Sequence, residues 1–400
     1  MHADFTPLAV GILILVSSLL SLRLGLSVAV IEILFGTVAG NFGLEPEAWM
    51  TYLAGFGGVL LTFLAGTEID VRLLRQRFRP TFQLGMLSFL LPFGGVFLFA
   101  YYVAGWSYQA SLIAGTALST TSLAIVYSIL VETGLAQSEI GKMIMAATFV
   151  TDMGTALAMS ILFVKPTVFT LIFVSVSVNV IFLADKFSHL ILNSRRFKGK
   201  IVEPEIKYVF ALLLAFMYFA NLGEGHAVLP AFVLGLVMSG RLAATPENRE
   251  IRNRLRTVAY AIITPIFFIV GGLKVSLPLI ASAIGLFALL FALKLVTKFV
   301  GVYFLARRFV PGGSMYTTLL MSTGLTFGTI ASVFGYNSGL IDRVQYSLLV
   351  GVVVASAVIP TFVAQKWFMP VHSEDLVDLN AANGGTTSFG RQPAKGATGD

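Results

Sequence analysis

The sequence predicts an all-α polytopic membrane protein with thirteen transmembrane helices. Three observations predict it. The 400-residue chain is 56% hydrophobic and only 12% charged, against about 25% charged in a soluble domain. Its mean hydropathy of +0.87 is concentrated in apolar runs of about 20 residues, the length a helix needs to cross hydrocarbon. The basic residues alternate from one set of loops to the other. Of the 27 lysines and arginines, 22 fall in the loops after the odd-numbered runs or after the last one, or at the run ends that border them, three in the opposite loops, and two deep inside a run. That asymmetry is the positive-inside pattern of a correctly counted chain. It places the N-terminus outside and the C-terminus in the cytoplasm.

The runs follow in order at 6–22, 26–44, 49–67, 82–104, 108–131, 140–163, 166–185, 206–223, 226–241, 257–273, 277–305, 314–336 and 344–368. The first, "MHADFTPLAVGILILVSSLLS", has no basic n-region and reads as a span and not as a cleaved signal peptide. The loops between runs hold Arg72, Arg75, Arg77 and Arg79 after the third, and Arg249, Arg252, Arg254 and Arg256 after the ninth. These loops account for the net charge of +7, so no nucleic-acid partner is expected. The Gly- and Thr-rich tail 371–400 is expected to be disordered, and it is too short for a nucleotide-binding domain. Runs 1–6 and 8–13 allow two six-helix units of opposite topology joined by run 7, an architecture of secondary transporters.

With no cysteine, disulfides, a thiol nucleophile and Cys-based metal sites are excluded. No HExxH, Walker A or GxSxG pattern occurs, and "GYNSG" (Gly335–Gly339) lacks nucleophile-elbow spacing. His189 and His226 fall in loops, where a solvated histidine is the ordinary reading.

Polar residues inside the runs are the informative ones. Asp152 lies in the middle of "ATFVTDMGTALAMS", where a charge costs roughly 2.5–3.5 kcal/mol even by insertion measurements. Intramembrane charges face a bundle interior or a wet cavity and pair with one another. Asp152 is therefore the candidate binder of a monovalent cation or a proton; the competing reading is a structural ion pair. Lys294 and Lys298 are one helical turn apart in run 11. One of them is expected to meet a carboxylate and the other to snorkel or line a cavity, with Lys298 the functional choice. Glu32 reads as a cavity-lining acid or as a protonated glutamate at a helix contact. Glu68 and Asp70, beside Arg72 and Arg75, read as a helix-end charge cluster.

Two runs are broken by hydroxyls and glycines. Run 5 contains Ser119, Thr120, Thr121 and Ser122 in succession; run 12 contains Ser322, Thr323, Gly324, Thr326, Gly328 and Thr329. Such clusters either pack helices closely or satisfy an unwound backbone. The two runs are seven apart, so they are equivalent in the proposed repeat. Interrupted spans at matching positions point to a transporter's binding site.

Several stretches resemble the monovalent cation:proton antiporters, in the Kef-type and NapA-type branch of the sodium/hydrogen exchanger superfamily. They are "VIEILFGTVAGNFGL" (with Asn41 where that branch usually has proline), "LLTFLAGTEIDVRLLR", "LSTTSLAIVYSILVETGL" and "TPIFFIVGGLKVSL". Together they cover runs 2–12. The resemblance implies the sodium/proton antiporter fold: two inverted six-helix repeats with crossed broken helices, in a homodimer. A dimerisation domain would comprise 1–80 and 201–274, and an ion-translocating core 81–164 and 275–370, with 165–200 a linker helix. Asp152 would be the ion-binding aspartate, Lys298 the charge-balancing lysine, and Ser119–Ser122 the flank of the ion site. Thr151 departs from the pattern, which has aspartate, asparagine or glutamine there, and the usual lysine partner on that span is absent.

The expected activity is exchange of H+ for Na+ or K+ across a prokaryotic plasma membrane, without enzymatic chemistry or cofactor. Asp152 would carry the ion, and Thr151, Ser119, Thr120, Thr121 and Ser122 would add oxygens. Lys298 would balance charge, and Glu32, Lys294, Thr323, Gly324 and Thr326 would line the cavity or the broken helices. Beyond the lipid bilayer and a second copy, a separate regulatory subunit is an open partner. A Kef-type K+/H+ efflux system, a cation channel on the same core and a non-transporting sensor are the competing readings.

Overall fold

The computed structural model describes residues 5–24, 27–67, 78–133, 135, 138–162, 172, 174–183, 186, 203–222, 227–310 and 312–370. Glu68, Asp70, His189, His226, most of the 165–200 linker and the tail 371–400 lie outside the described residues. The regular secondary structure among the described residues is all helical: α1 (Thr6–Leu24), α2 (Val28–Asn41), α3 (Ala48–Thr67), α4 (Phe78–Leu98), α5 (Tyr108–Ser119), α6 (Leu123–Glu132) and α7 (Glu139–Leu162). Then follow α8 (Val174–Leu183), α9 (Pro204–Leu222), α10 (Val228–Ala244), α11 (Pro246–Val258), α12 (Thr264–Leu273), α13 (Leu277–Ser282), α14 (Ile284–Phe309), α15 (Ser314–Met321), α16 (Thr326–Asn337) and α17 (Arg343–Trp367). Nine helical stretches among the described residues are long and apolar enough to cross a membrane, with α2, α8 and α10 shorter apolar helices.

Local chemistry sets several helix ends. Ser107 accepts from the Ala110 amide to start α5. Asp342 and Gln345 form a reciprocal capping box at α17, satisfying two amides that the first turn leaves free. The tenth span departs from its predicted limits. Apolarity begins at residue 257, but one continuous helical stretch runs from Pro246 to Leu273. Its polar segment α11 starts on a Thr245 cap with Pro246 in the first turn and buries Asn248, Ile251 and Leu255. Hydropathy marks the polar boundary; the amphipathic helix continues through it.

Packing is dense where glycines let backbones meet. Helix α2 crosses α12 at Gly36 and Gly272, and α3 crosses α10 at Gly66 and Gly235. Helix α4 packs on α5, α7 and α14, α16 on α5 and α17, and α14 on α15 and α17. Phe232 of α10 stacks on Phe149 of α7 at 5.8 Å and meets the Phe327 ring of α16 edge-on at 6.1 Å, tying these helices together.

A Cβ on Gly272 would lie 2.7 Å from the Thr37 amide nitrogen and 3.0 Å from the Gly36 carbonyl carbon. Both neighbours are backbone, so the helices must part. Gly272→Ala is therefore expected to destabilise the protein by about 1–3 kcal/mol, read as a lower thermal melting point of the purified protein in detergent.

Candidate functional site

The site begins with two interrupted helices. After Ser119, Thr120–Ser122 leave the helix between α5 and α6, with Thr120 extended at φ −64°, ψ 156°. The second interruption lies between Met321 of α15 and Thr326 of α16. Unwinding frees backbone groups at both breaks, and burial requires that they find partners. The breaks supply them to each other. Thr121 Oγ1 donates to the Met321 carbonyl at 2.9 Å, and the Ser122 amide reaches Thr323 Oγ1 at 3.5 Å. Ser122 Oγ and Thr326 Oγ1 lie 3.4 Å apart. Ser356 of α17 donates to the Gly324 carbonyl at 3.5 Å. Gly328 has no side chain where one would press on the Ala117 carbonyl and Thr120 Oγ1.

Asp152 projects from α7, buried to 2% exposure, and its Oδ1 has no hydrogen-bond partner. Helix α7 is held against α4 at Gly85, where a Cβ would lie 2.6 Å from the Ala147 carbonyl oxygen. Thr151 staples the same contact: its hydroxyl reaches the carbonyls of Ala147 at 3.1 Å and Gly85 at 3.3 Å.

One lysine is expected to meet a carboxylate and the other to snorkel or line a cavity; the structure shows neither a carboxylate pairing nor snorkelling. Both are fully buried, and among the described residues no ion pair joins Asp152 to either, although Lys298 acts on Asp152 electrostatically. Lys298 Nζ instead donates to Ser88 Oγ of α4 and to Thr121 Oγ1, each at 2.9 Å. Lys294 Nζ has no hydrogen-bond partner. It lies at the second break, 2.5 Å from where a Cβ on Gly324 would stand. The lysine stems lie along α14 and reach inward because that helix packs on α4 and α15.

The structure thus gathers Thr120, Thr121, Ser122, Lys294, Lys298, Thr323, Gly324 and Thr326 at the crossing, with Asp152 within electrostatic reach of Lys298. Ser119 and Thr120 direct their hydroxyl protons to the carbonyls of Thr116 and Ala117, which leaves their oxygen lone pairs free to accept. Glu32 is not brought into the cluster: it is buried on α2, which packs chiefly on α12 and α1. Three residues escaped the sequence reading. Ser88 was one hydroxyl in an apolar run and carried no signal. Ser356 was likewise isolated. Thr148, buried with its Oγ1 unpartnered, is four residues before Asp152 and so shares its helix face; that spacing was the available clue. A separate cavity of about 210 Å³ lies between α3, α9, α10, α12 and α16, lined by Gly58, Met217, Asn221, Phe267 and Asn337 among others, and does not include Asp152.

The model of the transmembrane sodium/hydrogen exchanger family matches residues 10–368. The chain belongs to that family. A probable Na+/H+ antiporter 3 of Methanocaldococcus jannaschii is 27% identical over 350 residues, which span 84% of this chain and 88% of that protein. A Na+/H+ antiporter of Enterococcus hirae is 26% identical, covering 90% of this chain and 96% of its own length. The Na+/H+-K+ antiporter GerN of Bacillus cereus is 24% identical, over 85% and 89%. In fold, the chain is similar to the sodium proton antiporter MjNhaP1 of Methanocaldococcus jannaschii: TM-score 0.68 at 13% identity, covering 92% of this chain and all of that one.

Removing Lys294 removes a buried amine without an acceptor, whereas removing Lys298 strips Ser88 and Thr121 of a shared partner. Replacing an unpaired buried polar group by an apolar isostere is neutral or stabilising, while orphaning hydroxyls costs about 1–3 kcal/mol. Lys294→Met is therefore expected to melt at or above the wild-type temperature, and Lys298→Met below it, in parallel thermal scans.

Proposed function

We propose that this family member exchanges H+ for a monovalent cation, with Asp152 as the group that binds the two alternately. One observation carries the reading: a buried carboxylate oxygen without a hydrogen-bond partner, on a helix packed against the two broken ones. A hard monovalent cation takes oxygen ligands, and a carboxylate is also a proton acceptor. A single group that holds one or the other obliges exchange, because its empty, charged form is costly to carry through hydrocarbon.

Around Asp152, the oxygens of Ser119, Thr120, Thr121 and Ser122 and the freed carbonyls would complete the shell, with Thr151 holding α7 in register. Lys298 balances the carboxylate when no cation is bound. Na+ is the favoured cation. K+ is the second reading, and the relative named for Na+/H+-K+ antiport favours it. One carboxylate with one balancing lysine corresponds to a one-for-one, electroneutral exchange.

Movement would divide the chain as the packing suggests. The core, 81–164 and 275–370, would shift against a dimerisation domain, 1–80 and 201–274, with 165–200 as the link and a second copy as partner. Contacts across that division would include the Phe149–Phe232–Phe327 rings and the Tyr346 hydroxyl, which donates to the Gly271 carbonyl. Support for an inverted repeat comes from paired crossings: α2 on α12 and α3 on α10 exchange places under a shift of seven spans. The loop charges favour an N-terminus outside and a C-terminus in the cytoplasm, and the membrane would be a prokaryotic plasma membrane.

The test uses the full chain in liposomes that enclose a pH dye. Adding Na+, K+ or Li+ outside is expected to drive proton movement with wild type, and Asp152→Asn is expected to reduce the rate at least a hundredfold. No cation-driven pH change in wild type at several pH values overturns the antiport reading. Cation flux without proton counterflow identifies a channel. Full activity in Asp152→Asn removes Asp152 from the site.

A further inference from the structure

Lys298 does not reach across to the carboxylate it is expected to balance. Its amine is held by two hydroxyls from two other elements, Ser88 on α4 and Thr121 at the break after α5, all three groups without solvent exposure. Thr121 is itself fixed, because its own proton goes to the Met321 carbonyl. Its oxygen lone pairs therefore face the lysine. Asp152 Oδ1 meanwhile has no partner. An ammonium has three protons to place and no lone pair, and hydrogen bonds from a charged donor are the strong ones. Two hydroxyl acceptors at 2.9 Å form a seat for it away from the aspartate.

The geometry points to Ser88 and Thr121 as a seat that takes Lys298 off Asp152 whenever the carboxylate is occupied, which makes Ser88 a positioning residue for ion binding. The inference rests on the antiport reading above. In the unoccupied site Lys298 turns to Asp152. An arriving cation or proton displaces it, and the hydroxyl pair receives it. Cation affinity then depends on how well the displaced lysine is held. The charged groups that act on Lys298 among the described residues are Asp152 from α7 and Lys294 from its own helix; α4 and the α5 break face it with hydroxyls only.

Weakening the seat favours the lysine on Asp152 and so penalises cation and proton alike. At alkaline pH, where the cation competes with the lysine alone, the apparent KM rises. At acid pH the cation competes with a proton that carries the same penalty, and the two penalties cancel. A distorted cation site would instead raise KM at every pH.

The experiment is KM for Na+ and kcat against pH in proteoliposomes for wild type, Ser88→Ala and Ser88→Thr. Ser88→Ala is expected to raise KM about tenfold at the alkaline end, as for one hydrogen bond to a charged donor, and to converge with wild type at the acid end. Ser88→Thr, which keeps the hydroxyl, restores the wild-type KM. Should Ser88→Ala not fold, Ser88→Cys carries the same expectation, because a thiol is a weak acceptor. A KM equal to wild type across the range in the hydroxyl-less variant, or one raised uniformly, overturns the seat and leaves the antiport reading standing. Absence of cation-driven proton movement in wild type overturns both.

Discussion

Everything in the site depends on one constraint: a backbone opened inside an apolar bundle must satisfy its amides and carbonyls without water. The two breaks meet that constraint mutually. Thr121 reaches Met321 and Ser122 reaches Thr323, so neither helix could be unwound alone. The hydroxyl-rich composition of both breaks follows from the same need, since Ser and Thr are the small residues that both donate and accept. In the proposed antiport, cation binding would follow from this solution, because oxygens turned inward to stabilise the backbone also offer lone pairs to an ion.

Charge is handled differently from backbone. Three ionisable side chains are buried near one another, yet none of the three is in an ion pair with another, among the described residues. Lys298 is held by hydroxyls and Lys294 stands at the Gly324 crossing. The glycine at 324 is required because an added Cβ would lie 2.9 Å from the Thr120 carbonyl oxygen, as well as against the lysine amine. Glycine-mediated crossings elsewhere, at Gly36 with Gly272 and Gly66 with Gly235, let helix backbones meet closely.

Much of this was legible in the chain. The helical class, the positions of the apolar runs, the two interruptions and the anomaly of Asp152 are local properties: each is written in hydropathy, in a hydroxyl cluster, or in a charge where none belongs. The boundary of the tenth span was misread because helix formation in α11 depends on a buried stripe of Asn248, Ile251 and Leu255 that a hydropathy average conceals. Glu32, equally anomalous in sequence, is buried on a helix that faces other neighbours, and a charge in a run does not say which element it faces.

What the sequence by itself determined is therefore the class, the spans, the breaks and the list of chemically costly residues, because hydrocarbon penalises each polar group one at a time and wherever it falls. What only the tertiary structure decided is partnership. That Lys298 is seated by Ser88, two hundred and ten residues away in the chain, that Thr151 staples α7 to Gly85, and that Lys294 stands at the second break are facts of helix packing. Packing is set by the joint fit of many side chains across helices distant in sequence, and no spacing within one helix encodes it.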